Sequence, residues 1–280
     1  MLSKAFEKGT TPSKGPGPHR DLKRGRILKS LMSRRIKQIY MPNYSVNIAL
    51  DSATLTALSN GNYQMQVFKG AQSPAASAGQ PVVWFALSQF SSTVNISWTD
   101  SYGGFFSNTI PEPGAVVTIA TSSPMNLGDI FTLQTTGQGA LTSGGPATAY
   151  SFESLEQTEW SCGLTTAACG GQPTAICAFP QYSTIENLIE PYEMVLVVFT
   201  QTPVNTGSVV QTAVSTSVSI VLAPSEPNCS VSFDINKGWN IGDQANVAVN
   251  PPNFELAPAL IIPPASDMAQ GKINLHKAIK

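Results

Sequence analysis

The sequence predicts an all-β fold, a single antiparallel β-sandwich behind a basic, partly helical N-terminal extension. Three observations predict it. Residues 193–239 carry three strand-like runs in succession, separated by the turn-forming stretches Pro203–Gly207 and Pro224–Pro227. About ten short apolar or alternating runs recur along the chain with turn residues between them, which suits a sandwich or barrel better than βαβ units. Charge is also segregated. Residues 1–40 hold eleven of the sixteen Lys and Arg against only Glu7 and Asp21, a net +9, whereas residues 41–280 hold five basic and fifteen acidic residues, a net −10. Such a break marks a basic arm on an acidic body. The domains therefore read as a basic extension over 1–40, a β-sandwich over 41–262 and a C-terminal tail over 263–280.

In chain order, residues 1–18 are rich in Gly, Pro, Ser, Thr and Lys and predict disorder. From Arg20 to Tyr40, Leu28, Leu31, Met32, Ile36 and Ile39 recur at helical spacing among Lys and Arg, the pattern of a basic amphipathic helix. Its cations are Arg20, Lys23, Arg24, Arg26, Lys29, Arg34, Arg35 and Lys37. Three roles fit such an arm: a solvated extension, a membrane-surface or targeting segment, or a nucleic-acid contact. The composition break falls at Met41, which we read as the functional start.

Tyr44–Leu50 predicts a strand. Asp51–Gly61 predicts a short helix, capped by Asp51 or Ser52 and ended by Gly61 in a left-handed conformation. Tyr63–Phe68, Val82–Leu87 and Thr93–Trp98 predict strands, with a loop over Gly70–Pro81 and a chain break at Gly103-Gly104. Val116–Ala120 and Ile130–Gln134 read as strands, Thr135–Thr148 as a Gly- and Thr-rich loop, and Ser151–Gln157 as a short uncertain segment. Met194–Thr200 is a continuous apolar run of strand length, so it predicts a strand buried on both faces. Ser208–Ala223 and Cys229–Ile235 follow as further strands, and Val247–Val249 as the last.

Much chemistry is excluded by what the body lacks. Histidine occurs at His19 and His276 alone, and no arginine follows Arg35. Residues 41–275 therefore carry no His-activated nucleophile, no His-based zinc site and no bidentate Arg clamp. An acidic body is a poor nucleic-acid surface, so any such contact would fall to residues 20–37. No apolar run reaches ~18 residues, the length of a transmembrane helix. No phosphate-binding or dinucleotide-binding glycine motif is present, and no cofactor is expected. The first residues lack the apolar core of a secretory signal, which leads us to expect a cytoplasmic protein with reduced thiols.

Several residue groups merit weighing. Glu153, Glu156 and Glu159, and again Glu186, Glu190 and Glu193, supply spaced carboxylates. Acid–base catalysis would need two of them to face each other, whereas this spacing is ordinarily a solvated face. Asp234, Asn236, Asn240 and Asp243 place oxygens at near-alternating positions, as a calcium loop does, but without the terminal glutamate; a polar turn explains them better. Cys162, Cys169 and Cys177 are spaced by seven and eight residues, which makes a zinc site weak and free loop thiols the preferred reading. Three Asn-x-Ser sequons, at Asn43, Asn95 and Asn228, mean little without a secretory signal. Of the four tryptophans, Trp84 and Trp98 sit in strand patterns and predict core. Trp160 and Trp239 sit beside predicted loops and are the candidates for an exposed aromatic contact.

Three stretches carry a family resemblance: Tyr63–Lys69, then Val83-Trp84 with Val94–Trp98, and Glu193–Phe199 with Val204–Gly207 and Phe233–Trp239. Over residues 41–240 the chain resembles a group of small, signal-less, β-rich fungal and bacterial proteins of uncharacterised activity. The resemblance implies a fold and no residue role. The basic arm and the cysteine-bearing stretch 159–179 fall outside the pattern.

The expected function is a non-enzymatic binding or self-assembling protein, lectin-like or membrane-active in its most concrete form. A glycan or membrane ligand, or a second copy of the chain in a homo-oligomer, would be its partner. Two alternatives remain open: a viral coat protein with a nucleic-acid-binding arm, and an accessory enzyme of a small-molecule pathway that works through carboxylates.

Overall fold

The computed structural model describes residues 43–183 and 185–264. Every described residue belongs to one compact unit. The basic arm with its expected helix, and the tail beyond Pro264, lie outside the described residues.

The elements begin with β1 (Asn43–Leu50), α1 (Ser52–Asn60), β2 (Gln64–Gln72), a 3-10 turn (Ala76–Ala78), β3 (Gln80–Pro81), β4 (Val83–Leu87), β5 (Thr93–Thr99) and β6 (Tyr102–Ser107). They continue with β7 (Thr121–Met125), β8 (Asp129–Leu133), β9 (Gly139–Ser143), β10 (Tyr150–Ser154), β11 (Trp160–Ala167), β12 (Pro173–Ala175), β13 (Cys177–Gln181) and β14 (Asn187–Thr200). The last are β15 (Thr212–Ala213), β16 (Ser217–Val221), β17 (Asn228–Asp234), β18 (Gly238–Asn240), β19 (Val247–Asn250), β20 (Phe254–Glu255), α2 (Ala257–Leu260) and β21 (Ile261–Ile262).

The all-β class holds. One sheet has the order β18-β17-β1-β5; a second runs β3-β13-β11-β6-β7, with β12 on β11; β15 and β20 form a ribbon. The largest sheet runs β19-β16-β14-β10-β8-β9, with β2 also on β14 and carrying β4 and β21. Pairing is mixed rather than purely antiparallel: β1 with β17, β8 with β10 and β2 with β21 are parallel. A parallel pair needs a long connection, so the partner of β1 lies 183 residues away where Ser45 Oγ donates to Asn228 Oδ1. Local periodicity carries no trace of such a pairing.

The burial of β14 follows from its two faces. Val195, Val197 and Phe199 enter a large apolar core that also takes side chains from β1, β5, β6, β8, β10, β11, β13, β16 and β17. Met194, Leu196 and Val198 enter a smaller core roofed by Leu256 and Leu260. Both sets are dry, which explains the unbroken apolar run. β2 is its antiparallel neighbour and behaves likewise: Met65, Val67 and Ala71 face the large core, and Phe68 faces the small one. Lys69 shares the parity of Met65, Val67 and Ala71, so strand geometry directs a cation toward the large core.

Other expectations change. α1 is capped as read, the Asp51 carboxylate accepting from Thr54 N at 2.7 Å, but Gly61 is not left-handed (φ −85°); Asn62 takes that role at φ 52°. Gly103-Gly104 does not break the chain. Both sit inside β6, where a Cβ on Gly104 would lie 2.4 Å from Met125 Sδ and one on Gly103 2.8 Å from Ser123 O. Close strand approach, not turning, requires them. The loops expected over Gly70–Pro81, Thr135–Thr148 and 159–179 each contain strand. Cys162 and Cys177 are buried on neighbouring strands β11 and β13 rather than loop thiols, Cys229 is buried on β17, and Cys169 alone is exposed, at a turn with φ 52°. All four thiols are free. Val116–Ala120 forms no strand; Val116 makes one isolated bridge to Ser208. No helix among the described residues is long and apolar enough to cross a membrane.

Candidate functional site

Among the described residues there are two cationic side chains, Lys69 and Lys237. Lys237 is exposed in a turn, whereas the Lys69 side chain has no solvent exposure. A buried ammonium survives only with a partner. That partner is Glu193, whose Oε2 lies 2.7 Å from Lys69 Nζ, with the Tyr192 carbonyl at 3.5 Å.

The pairing is made by a backbone irregularity. β2 and β14 are in register from Glu190/Gln72 to Tyr192/Gly70 and again from Val195/Lys69 onward, with Glu193 and Met194 interposed as a bulge. A bulge bends the strand and re-aims side chains. Gly70 makes room for it: a Cβ there would stand 2.8 Å from the Tyr192 ring and 3.1 Å from Met194 Cβ. Glu193 thereby meets Lys69 while Met194 still reaches the small core.

Two further sheets complete the cluster. Trp98 on β5 donates Nε1–H to Glu193 Oε2 at 2.6 Å, and Tyr102 on β6 donates its hydroxyl to Glu193 Oε1. Lys69 Nζ also stands 5.0 Å from the Trp98 ring and 5.5 Å from the Tyr102 ring, within cation–π range. Tyr44 stacks on Trp98 at 5.4 Å, Trp84 meets it edge-on at 5.7 Å, and Tyr150 lies 6.2 Å from Tyr102. Trp98 and Tyr102, on either side of the β5–β6 turn, are set against the pair, and Asp100 between them is exposed.

The electrostatics follow from this enclosure. Burial lowers the Lys69 pKa even though Glu193 opposes the shift. Asp100 is raised, first by burial and then by the Glu193 charge, with Lys69 pulling the other way. Burial, then Glu193 and Asp100, push the Tyr44 hydroxyl up to about 12. Tyr150 is likewise raised to about 12 by burial, with Asp100, Asp129 and Glu193 adding to it. The Glu193 side chain is 15% exposed, so the cluster has one edge toward solvent and its amine lies inward.

On the opposite side of β14, a groove of about 470 Å³ runs along Tyr192, Met194, Val221, Val249, Phe254 and Ala259. It lies between the edge strand β19 and the α2 segment, and none of its described lining residues is charged. Val249 is 45% exposed at its rim.

The residues singled out from the sequence scatter. Trp239 is buried on β18, stacked on Phe199 at 5.6 Å and packed against Phe233 at 4.9 Å, with Nε1–H donating to Thr216 O; it is core, not an exposed contact. Trp160 is half-buried against the large core. Asp234, Asn236, Asn240 and Asp243 sit on and after the β17–β18 hairpin. Asp234 Oδ1 accepts from Asn236 N and Lys237 N, and Asn240 Oδ1 accepts from Gly242 N, as in a polar turn. No cluster of three or more His, Cys, Asp or Glu able to hold a metal occurs among the described residues. Of the spaced glutamates, Glu159 accepts from the Tyr182 hydroxyl and Glu190 from Thr148, while Glu193 alone enters the enclosed cluster. The arm residues Arg20–Lys37 lie outside the described residues.

Lys69, Trp98, Asp100 and Tyr102 escaped the sequence reading as a site. One signal was available: Lys69 stands inside an apolar strand of a body with almost no cations. Comparison with protein-family models, curated proteins and solved structures found no match.

Proposed function

We propose that this chain is a non-enzymatic binding protein whose ligand is a small, uncharged, apolar molecule held in the groove beside β19. The carrying observation is that groove: its volume of about 470 Å³ suits a small ligand, and its described walls are uncharged. Its polar groups are few. Asn246 Nδ2 is engaged with the Val221 carbonyl, and Asn250 Nδ2 donates to Ser217 Oγ and Ser219 Oγ, so the walls are braced before any ligand arrives. A sugar-stacking platform is less well supported, because Trp239 lies in the core and Trp160 is half-buried. The carboxylate-enzyme reading meets a sealed amine at Lys69 with no exposed reactive face. A single sandwich is the scaffold we favour, on the antiparallel pairing of most of its strands. A cytoplasmic setting, with the four thiols reduced, belongs to the same proposal.

Titration with the uncharged apolar fluorophore N-phenyl-1-naphthylamine tests it. Saturable one-site binding, weakened about tenfold or more by Ala259→Arg, is expected, since an unpaired charge would enter an apolar wall. Unsaturable binding, or binding indifferent to Ala259→Arg in a folded variant, refutes the groove as the site.

A further inference from the structure

We propose that Lys69 and Glu193 join covalently, the Lys69 Nζ condensing with the Glu193 carboxyl to an internal amide that ties β2 to β14. The proposal is independent of the groove.

Three observations carry it. The reactants are in contact, at 2.7 Å, and the amine has no solvent exposure. Both carboxylate oxygens already accept hydrogen bonds, from Trp98 Nε1 and the Tyr102 hydroxyl, so donors stand where negative charge would develop during attack. The bulge between Tyr192 and Val195, opposite Gly70, fixes the carboxyl against the amine, so encounter is prearranged.

The enclosure favours reaction over persistence of the ion pair. Two opposite charges held out of water carry a desolvation cost that an amide does not. Proton transfer from the ammonium to the carboxylate leaves a neutral amine facing a neutral acid, and the lowered Lys69 pKa makes that transfer easier. The nitrogen lone pair then attacks Cδ, forming the C–N bond. The oxyanion of the tetrahedral intermediate takes the hydrogen bond of Tyr102 or Trp98. The second nitrogen proton passes to the departing oxygen within the tetrahedral intermediate, the C–O bond breaks, and one water leaves by the partly exposed side of Glu193. Atoms balance as amine plus acid giving amide plus water, with no oxidant or reductant. The aromatic wall of Tyr44, Trp84, Trp98 and Tyr102 then shields the amide from hydrolysis.

Intact-mass measurement on the reduced, denatured full chain is the test. The wild type is expected to be lighter than its sequence by about 18 Da, one water, with fragmentation mapping the loss to a linked peptide containing Lys69 and Glu193. Lys69→Met and Glu193→Ala should show the full sequence mass. Glu193→Gln can condense with loss of ammonia instead, and should be lighter by about 17 Da. A folded wild type at its full sequence mass overturns the proposal whatever the variants do. A loss of about 18 Da that persists in Lys69→Met overturns it equally.

Discussion

Removing the Glu193 carboxylate while keeping Lys69 should cost more stability than removing both groups. In Glu193→Ala the amine remains on the core face of β2, without its partner 2.7 Å away. In Lys69→Met with Glu193→Ala, an unbranched apolar chain of similar length takes its place. Trp98 Nε1 and the Tyr102 hydroxyl lose their shared acceptor in both variants, so those losses cancel in the comparison. Breaking a buried pair from one side costs about 3–5 kcal/mol in general. Here a ceiling applies, because the amine can fold neutral: an unfolded lysine titrates near ~10.4 and each pH unit is worth about 1.36 kcal/mol, which caps the penalty at about 4.6 kcal/mol at pH 7. Burial already lowers the folded pKa of Lys69, and deleting Glu193 removes both the charge and the hydrogen bond that oppose the shift. The unfolded chain then binds more protons than the folded one between the lowered folded value and the unfolded value. Stability of Glu193→Ala therefore rises with pH across that window, by at most about 1.4 kcal/mol per unit, and the double variant shows no such slope. Urea unfolding of the two proteins from pH 6 to 9 measures this directly. A gap at pH 7 below about 1 kcal/mol, or a gap that does not narrow as pH rises, would refute the claim that Lys69 is sealed from water.

Gly163→Ala, on the buried strand β11, should be far more damaging than the same change at the exposed turn residue Gly171: its Cβ would lie 2.1 Å from the Cys177 carbonyl oxygen, a backbone atom that can retreat only by parting β11 from β13. The expected loss exceeds the ~1–3 kcal/mol of ordinary overpacking and appears as a lowered melting temperature, whereas Gly171→Ala, whose Cβ would meet only Ala168 O at 3.1 Å, should move it little. In the folded protein Cys169 should react with a thiol reagent well before the other three; Cys162 and Cys177 are fully buried, and burial pushes Cys177 up to about 12, so mass spectrometry after brief labelling should find one adduct until denaturant is added. Asp51→Ala should cost about 1 kcal/mol through the lost cap on Thr54 N, read by chemical unfolding. Backbone hydrogen bonds from Asn236 and then Lys237 hold the Asp234 carboxyl below the usual carboxylate range, so its turn-stabilising role is present near neutral pH and fades as pH falls through that lowered value; the amide resonances of Asn236 and Lys237 should follow this titration and stay put on adding calcium.

Local chemistry was enough to specify part of the molecule. β-Branched and apolar runs mark β1, β4, β5, β14 and β17, because a pleated strand imposes period two on half-buried surfaces and none on a strand buried twice. Asp51 before an apolar helical stretch marks α1, since capping is decided within one turn. Asp234 and its neighbours read as a turn for the same reason. What the sequence hid depends on contacts far apart in the chain. Gly103 and Gly104 looked like a break, because the need for no side chain at a crowded strand crossing and the need for a turn select the same residue. Trp239 looked exposed beside its turn until Phe199 and Phe233, from β14 and β17, closed over it. The strands of the 159–179 stretch were masked by Gly, Ala and Pro, which carry little β signal and pack well only once neighbouring strands stand against them. The Lys69 cluster is the sharpest case. Its members come from β2, β5, β6 and β14, and Lys69 and Glu193 are 124 positions apart. Strand parity places Lys69 on the core face, which the sequence alone determines; only the bulge in β14, set by how β2 and β14 align, decides that a carboxylate waits there to meet it.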